Sequence, residues 1–208
     1  MKAKERIYLN GKFKPQTIAH HLARYNFALD MIPPVSGDTA LDVCCGSGYG
    51  TDMLSKAGYQ AVGIDKDTTA IRFAKKNYKG SFLRADMTKV TKSFCHFVSY
   101  STLKFNLITM FEALEHFRFT EGRAIIGYVY TLLKNNGYFI VSVPRDINHK
   151  NNGFHKSKYT LKLLRDTLED VFGIGNVTTF GQDWDTSVID QERIEKNDFY
   201  IAVCRKVV

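Results

Sequence analysis

The residues with most chemical content lie in the run Leu41-Asp42-Val43-Cys44-Cys45-Gly46-Ser47-Gly48-Tyr49-Gly50-Thr51 and at Asp65, which closes the next apolar run. An apolar stretch that ends in alternate glycines and opens a helix places bare backbone N–H groups at the positive end of that helix. Glycines there let a ligand lie against the main chain. An acid that ends the following strand can take two ribose hydroxyls. Strand, glycine turn, helix, strand and acid together predict a site for an adenosine-type cofactor.

Two large groups of proteins read adenosine in this way, the nicotinamide or flavin oxidoreductases and the S-adenosylmethionine methyltransferases. The dinucleotide fingerprint asks for glycine at its first, third and sixth positions. Those positions hold Gly46, Gly48 and Thr51, so the fingerprint fails. After the glycine run the chain offers one sheet and no separate substrate domain, which also argues against a dehydrogenase.

The elements that must position these residues follow from spacing. Apolar residues at Ile18, Leu22, Tyr25, Phe27, Ala28 and Met31 predict a helix that Pro33-Pro34 stops. Strands are expected over 40–44, 60–64, 82–83, 105–110, 138–143, 177–180 and 199–205. Helices are expected over 49–56, after the cap Asp67, after the cap Thr120 and after the cap Thr160, with Gly80, Asn135-Asn136-Gly137 and Gly173 as their stops. Strands that alternate with helices imply a parallel sheet with right-handed crossovers. The expected fold is a single doubly wound, Rossmann-like α/β domain. Its seven-stranded sheet is mostly parallel with an antiparallel last strand, and helices cover both faces.

The chain has 208 residues, 44% hydrophobic and 24% charged, which suits one domain over 18–208 behind a basic arm over 1–17. Its start is charged with no apolar segment behind it, so no signal peptide is expected. The four cysteines read as free thiols of a cytoplasmic protein. Adjacent Cys44-Cys45 and the isolated Cys95-His96 lack metal-ligand spacing, so no metal is expected. The net charge of +8 is concentrated between Arg72 and Lys104, where Asp86 is the only acid, whereas Asp183 to Asp198 leans acidic. Such a basic stretch can attract polyanions or stand as a solvated face.

The motifs resemble those of class I S-adenosylmethionine-dependent methyltransferases. The run 41–50 resembles their first motif, Val62-Gly63-Ile64-Asp65 their second, and Ala85-Asp86-Met87 the acidic turn after their third strand. Phe111-Glu112-Ala113-Leu114-Glu115-His116-Phe117 is similar to the E-x-x-E-H segment of the ubiquinone O-methyltransferase-like branch, and Leu132–Tyr138 to the approach to the fifth strand. His21–Ala28, Phe154–Thr160 and Phe180-Gly181-Gln182 resemble segments of bacterial methyltransferases found with surface-polysaccharide enzymes. The chain departs from the pattern at Asn106, where an acid is usual, and at Asn136, where a glycine is usual.

The resemblance implies S-adenosyl-L-methionine as cofactor and a hydroxyl or amine of a small molecule or sugar as acceptor. It implies that Asp65 takes the ribose, Gly46 and Gly48 admit the cofactor, and Asp86 with Met87 borders the adenine. Cys44, Ser47 and Lys66 flank these positions and belong to the same expected cofactor site. Phe111 borders the methionine, and Arg24 pairs with its carboxylate. Asp42 either anchors the loop or reaches the amino group through water. His116 is the expected general base, with Glu112 as an alternative base or orienting acid. His149, His155 and Trp184, the last in an excursion expected to form a substrate lid, are expected on the acceptor side. The rival readings are a nucleic-acid methyltransferase of RNA caps or bases, and an inactive cofactor-binding regulatory subunit.

Overall fold

The structure is a computed structural model that describes residues 15–89, 104–145, 154–184, 189–192 and 194–207. His149, Cys95 and His96 lie outside the described residues, as does most of the expected N-terminal arm. Seven strands form one sheet: β1 Thr39–Val43, β2 Gln60–Asp65, β3 Ser81–Arg84, β4 Phe105–Phe111, β5 Leu133–Pro144, β6 Val177–Gln182 and β7 Phe199–Arg205. Their order is β3-β2-β1-β4-β5-β7-β6. β1 pairs in parallel with β2 and β4, and β2 with β3 and β4 with β5 likewise, while β7 runs antiparallel to both β5 and β6. The expected doubly wound sheet with one reversed strand is what forms.

Among the described residues five helices flank it: α1 Pro15–Met31, α2 Tyr49–Ala57, α3 Thr68–Asn77, α4 Phe119–Leu132 and α5 Leu161–Phe172. Side chains alternate across each strand, so the sheet builds two cores at once. On one face Leu41, Val43, Ile108, Met110, Phe139 and Val141 meet Ile125, Val129, Leu164 and Leu168 of α4 and α5. On the other, Ala40, Leu107, Ile140 and Ile201 meet Tyr25 and Ala28 of α1 and Leu54 of α2. Burial of one such aliphatic side chain stabilises the fold by roughly 1.5–3 kcal/mol.

Local chemistry explains where the elements begin and end. Asp67 accepts hydrogen bonds from the Thr69 and Ala70 N–H groups and starts α3, and Thr160 accepts from Leu163 and starts α5, both as expected. α4 begins one residue before the expected cap. Thr120 lies inside its first turn, and the Glu121 carboxylate reaches back to the Arg118 N–H at 2.8 Å. β5 begins at Leu133, well before the expected Tyr138, because Asn135-Asn136-Gly137 forms an irregularity within the strand rather than a loop. Asn136 takes a φ of 61° there, and a Cβ on Gly137 would stand 2.9 Å from the Lys134 and Phe105 carbonyls. α1 begins at Pro15 rather than Ile18.

Candidate active site at the strand tips

Sheet order brings the chemistry together. Reading from the edge inwards, Asp86-Met87 follows β3, Asp65 ends β2, Cys44 to Ser47 follow β1 and Phe111-Glu112 end β4. The order reverses between β1 and β4, and that switch point is where ligands enter open α/β sheets. A cleft opens there, with Cys44, Asp65, Lys66, Asp86, Met87, Glu112, His116 and Phe117 in its walls. Neighbouring strands lie about 4.8 Å apart, so the tips of β3 to β4 span about 14 Å. At this switch point two non-glycine residues take positive φ, Cys44 at 60° and Glu112 at 47°, one on each side. Such strain concentrates where surrounding structure holds a functional geometry.

Asp65 is buried, and its two oxygens accept from the Gly46 N–H at 3.0 Å and the Asp67 N–H at 2.8 Å. It thus locks the glycine loop to the start of α3. A carboxylate oxygen has a second lone pair, so both can also receive ribose hydroxyls. Asp86 is held by Thr88, whose N–H and hydroxyl donate at 3.0 and 2.7 Å. Partial burial would raise its pKa, but those bonds and the charges of Lys66 and Lys89 outweigh it, and the carboxyl stays below its usual range. Met87 is buried beside it. Burial first, and the Asp65 charge second, push the Cys44 thiol well up, so it stands in the cleft as a neutral wall.

The glycines divide their work. Gly46 has a φ of 57°, is half-buried, and donates its N–H to Asp65. Gly48 is corrected: it is buried, takes a φ of 95°, and a Cβ there would stand 2.6 Å from Ala74 Cβ and 2.8 Å from the Phe82 ring. Its missing side chain serves the packing of α3 and β3. Gly50 makes room for the Tyr25 ring, which a Cβ would overlap. Ser47 is fully buried under the loop.

Asp42 resolves to the anchoring alternative. It is 0% exposed and accepts from Thr51 at 2.8 Å, Thr109 at 2.9 Å and Tyr25 at 3.1 Å. It therefore ties α1, α2, β1 and β4 behind the loop. Burial raises its pKa to about 6 against the pull of those hydroxyls.

Arg24 is also 0% exposed. Its Nε donates to Gln182 at 3.0 Å and its Nη2 to His20 Nε2 at 3.2 Å, and its guanidinium lies 4.5 Å from the Phe199 ring centroid. Burial, with Arg24 adding to it, lowers the His20 pKa to about 3, so the ring is neutral and Nε2 can accept. Arg24 Nη1 has no hydrogen-bond partner among the described residues, and Glu112 Oε1 lies 3.8 Å away. A buried guanidinium with an unfilled donor is what a cofactor carboxylate requires. Phe111 packs its ring edge-on against Tyr25 at 4.9 Å, at the same end of the site.

A short 3₁₀ turn over Leu114–His116 carries Glu115 and His116 past the tip of β4. The segment from Phe154 to Tyr159 is fastened over it by the Lys156 and Ser157 N–H groups on the Glu115 carbonyl and by Ser157 Oγ on the Phe117 carbonyl. His116 Nδ1 lies 3.3 Å from the Phe154 carbonyl. A carbonyl only accepts, so Nδ1 donates to it, and Nε2 faces the Glu115 carboxylate at 3.9 Å. His155 packs edge-on against His116, with ring centroids 4.9 Å apart. Glu115, His116 and His155 bring ligand-type atoms within 4.8 Å of one another, a composition that could hold a metal ion and that the cysteine-based expectation overlooked.

Trp184 stands apart from these residues. It is 47% exposed, stacks on His20 at 5.3 Å and meets Phe199 edge-on at 4.9 Å. It thus packs on the side of α1 and β7, away from the walls of the described cleft, and the lid expected of it gains no contact there. Sequence reading missed His20, Gln182 and Ser142. Gln182 and Ser142 pair with residues remote in the chain, 158 positions apart for Arg24 and Gln182, so no local spacing announces those contacts, whereas His20 stands one helical turn before Arg24.

Comparison with known proteins agrees with this geometry. Residues 13–174 match a methyltransferase domain family, and the chain belongs to it and to the class I S-adenosylmethionine-dependent methyltransferases. The chain is 31% identical over 160 residues to the ubiquinone biosynthesis O-methyltransferase of Actinobacillus pleuropneumoniae, covering 74% of this chain and 66% of that relative. It is 28% identical over 158 residues to that of Haemophilus ducreyi, with the same coverage. The chain thus spans a little under two thirds of the length of these relatives. The N-methyltransferase NodS of Bradyrhizobium japonicum, solved with S-adenosyl-L-homocysteine, superposes with a TM-score of 0.66 at 18% identity, covering 94% of this chain and 89% of that one. S-adenosyl-L-methionine is the cofactor of this superfamily. Among the described residues, no helix is long and apolar enough to cross a membrane.

Proposed function

We propose that this protein transfers the methyl group of S-adenosyl-L-methionine to a hydroxyl or amine of a small-molecule or sugar acceptor. The observation that carries the reading is the row of tips, Asp86-Met87, Asp65, Gly46 and Arg24-Glu112, which offers an adenine wall, a ribose acid, an open backbone and a charged end in the order of the cofactor's parts. When bound, the cofactor supplies an electrophilic methyl on a sulfonium. The remaining task for the protein is alignment in a site sheltered from water. Asp65 and Arg24 fix the two ends, and Phe111 shelters the methionine side.

His116 receives the acceptor's proton on Nε2. The Phe154 carbonyl holds its tautomer, as a base near neutral pH needs. His155 contacts the acceptor, whereas Trp184 packs on His20 beside α1. The names of the ubiquinone biosynthesis relatives support a small-molecule hydroxyl. A cytoplasmic setting suits the free thiols of Cys44, Cys45 and Cys204.

The test is His116→Ala. Loss of a general base should lower turnover by about a hundredfold or more, while S-adenosylhomocysteine affinity measured by calorimetry stays within about twofold. Unchanged turnover removes His116 as the base.

A second reading has its own observation. Arg72, Lys75, Lys76, Lys79, Arg84 and Lys89 are all exposed on and around α3 and the edge strand β3. They favour an anionic acceptor such as a nucleic acid, and an affinity for RNA or DNA that falls steeply with salt would support it.

A further inference from the structure

Arg145 stands at the tip of β5 with one edge of its guanidinium unused. The last residue of β4, Phe111, lies level with Ser142, and Arg145 follows further along β5, about 10 Å above that level. Its backbone N–H donates to the Asp198 carbonyl at 2.8 Å, and it bridges in parallel to Tyr159. Arg145 is thereby tied to two margins of the space over the strand tips. One is the lead into β7, and the other is the segment from Phe154 to Tyr159 whose Phe154 carbonyl holds His116.

The guanidinium itself has little to do in this arrangement. Nη1 donates to the Glu195 carbonyl at 2.9 Å. Nε is buried and has no hydrogen-bond partner among the described residues. Those residues also give Arg145 no ion pair, although acids are near. Glu195 offers only its main chain, and Asp198 Oδ2 accepts from the Trp184 N–H at 3.0 Å. An arginine that served only to clasp two loops would repay its desolvation with a carboxylate. This one engages a single neutral carbonyl and leaves over the edge formed by Nε and Nη2. That edge presents parallel N–H groups spaced to grip two oxygens on one centre. Arg145 is only partly buried, so a ligand can approach it.

We propose that Arg145 binds an anionic group of the methyl acceptor, a carboxylate or phosphate gripped by Nε and Nη2, and so selects acidic small molecules. The proposal rests on the methyltransferase reading above and narrows its acceptor class. The anion is held over β5, and the group to be methylated lies toward His116, across the segment that both residues touch.

The test is calorimetry on the full chain saturated with S-adenosylhomocysteine, with 4-hydroxybenzoate, its methyl ester and phenyl phosphate as probes. The acid should bind about ten- to a hundredfold more tightly than the ester, the range of charge-assisted hydrogen bonds. Arg145→Gln should abolish that preference. Arg145→Lys keeps a charge and a donor for the Glu195 carbonyl but loses the fork, and should leave a preference of about threefold. Phenyl phosphate binding more tightly than 4-hydroxybenzoate assigns a phosphate, and the reverse assigns a carboxylate. Equal binding of acid and ester, a preference that survives Arg145→Gln, or no binding of any probe overturns the proposal. Arg145 lies outside the walls of the cofactor cleft, so S-adenosylhomocysteine affinity should be the same in all three proteins. A fall in that affinity in Arg145→Lys marks a structural brace and overturns the proposal. Failure of the unaltered protein to bind S-adenosylhomocysteine overturns the parent reading, and the proposal with it.

Discussion

Asp42 carries a charge where the protein offers no water, and its surroundings make that charge sensitive to pH. With the folded pKa near 6 and the unfolded value at 3.8, the folded state holds a proton that the unfolded state has released between those values. The stability contributed by the protonated carboxyl is therefore full below about pH 4 and is lost as pH rises through 6. The gap of about two units corresponds to roughly 3 kcal/mol. Denaturant unfolding of the unaltered protein and of Asp42→Asn across pH 4 to 7 should show the unaltered protein losing stability relative to the variant. A constant difference would place the titration elsewhere. At Gly48, an alanine would meet Ala74 at 2.6 Å in a left-handed backbone. Overpacking and strain together should cost about 2–4 kcal/mol, read as a lower midpoint in the same assay.

Elements meet at Gln182. This fully buried residue ends β6, accepts from Arg24 and donates from Nε2 to the His20 carbonyl at 3.1 Å, so it stitches the last edge strand to α1. Gln182→Ala removes both bonds and leaves the guanidinium without its brace. The loss of two buried bonds should cost about 2 kcal/mol, which for a chain of this size lowers the thermal midpoint by roughly 4–8 °C. S-adenosylhomocysteine affinity should fall with it, whereas a merely local defect would leave the affinity intact. Asn106 illustrates the same economy at the other end of the sheet. It stands where an acid is usual, and its Oδ1 accepts from the Thr39 N–H and from Lys134 Nζ, fastening β4 to β1 and β5 far from the cleft.

At the scale of the whole molecule, the two cores hold the tips of β3, β2, β1 and β4 in a row, and the site exists only as long as that row does. A ligand that binds the folded chain stabilises it by mass action, about 2.7 kcal/mol at a hundred times its dissociation constant. S-adenosylhomocysteine at that excess should therefore raise the thermal midpoint by roughly 5–10 °C, and NADH should leave it unmoved. A rise with NADH alone would return the chain to the oxidoreductases. The basic face of α3 and β3 answers to a separate measurement, the slope of any polyanion affinity against salt.

Local rules were enough for the sheet, the glycine loop and the order of elements, because each depends on residues a few positions apart: alternation along strands and caps such as Asp67 and Thr160. Some assignments failed where backbone and neighbours had to be known together. Gly48 leaves the room that Ala74 and Phe82 fill, and Asn135-Asn136-Gly137 lies within a strand rather than after a helix as its stop. Only the tertiary structure could bring Gln182 behind Arg24, set Glu112 opposite it, and surround Asp42 with hydroxyls from α1, α2 and β4. Those contacts join segments far apart in the chain, and burial gives them their strength. The adenosine site is therefore written in short-range spacing, and the charged end of the site in long-range packing.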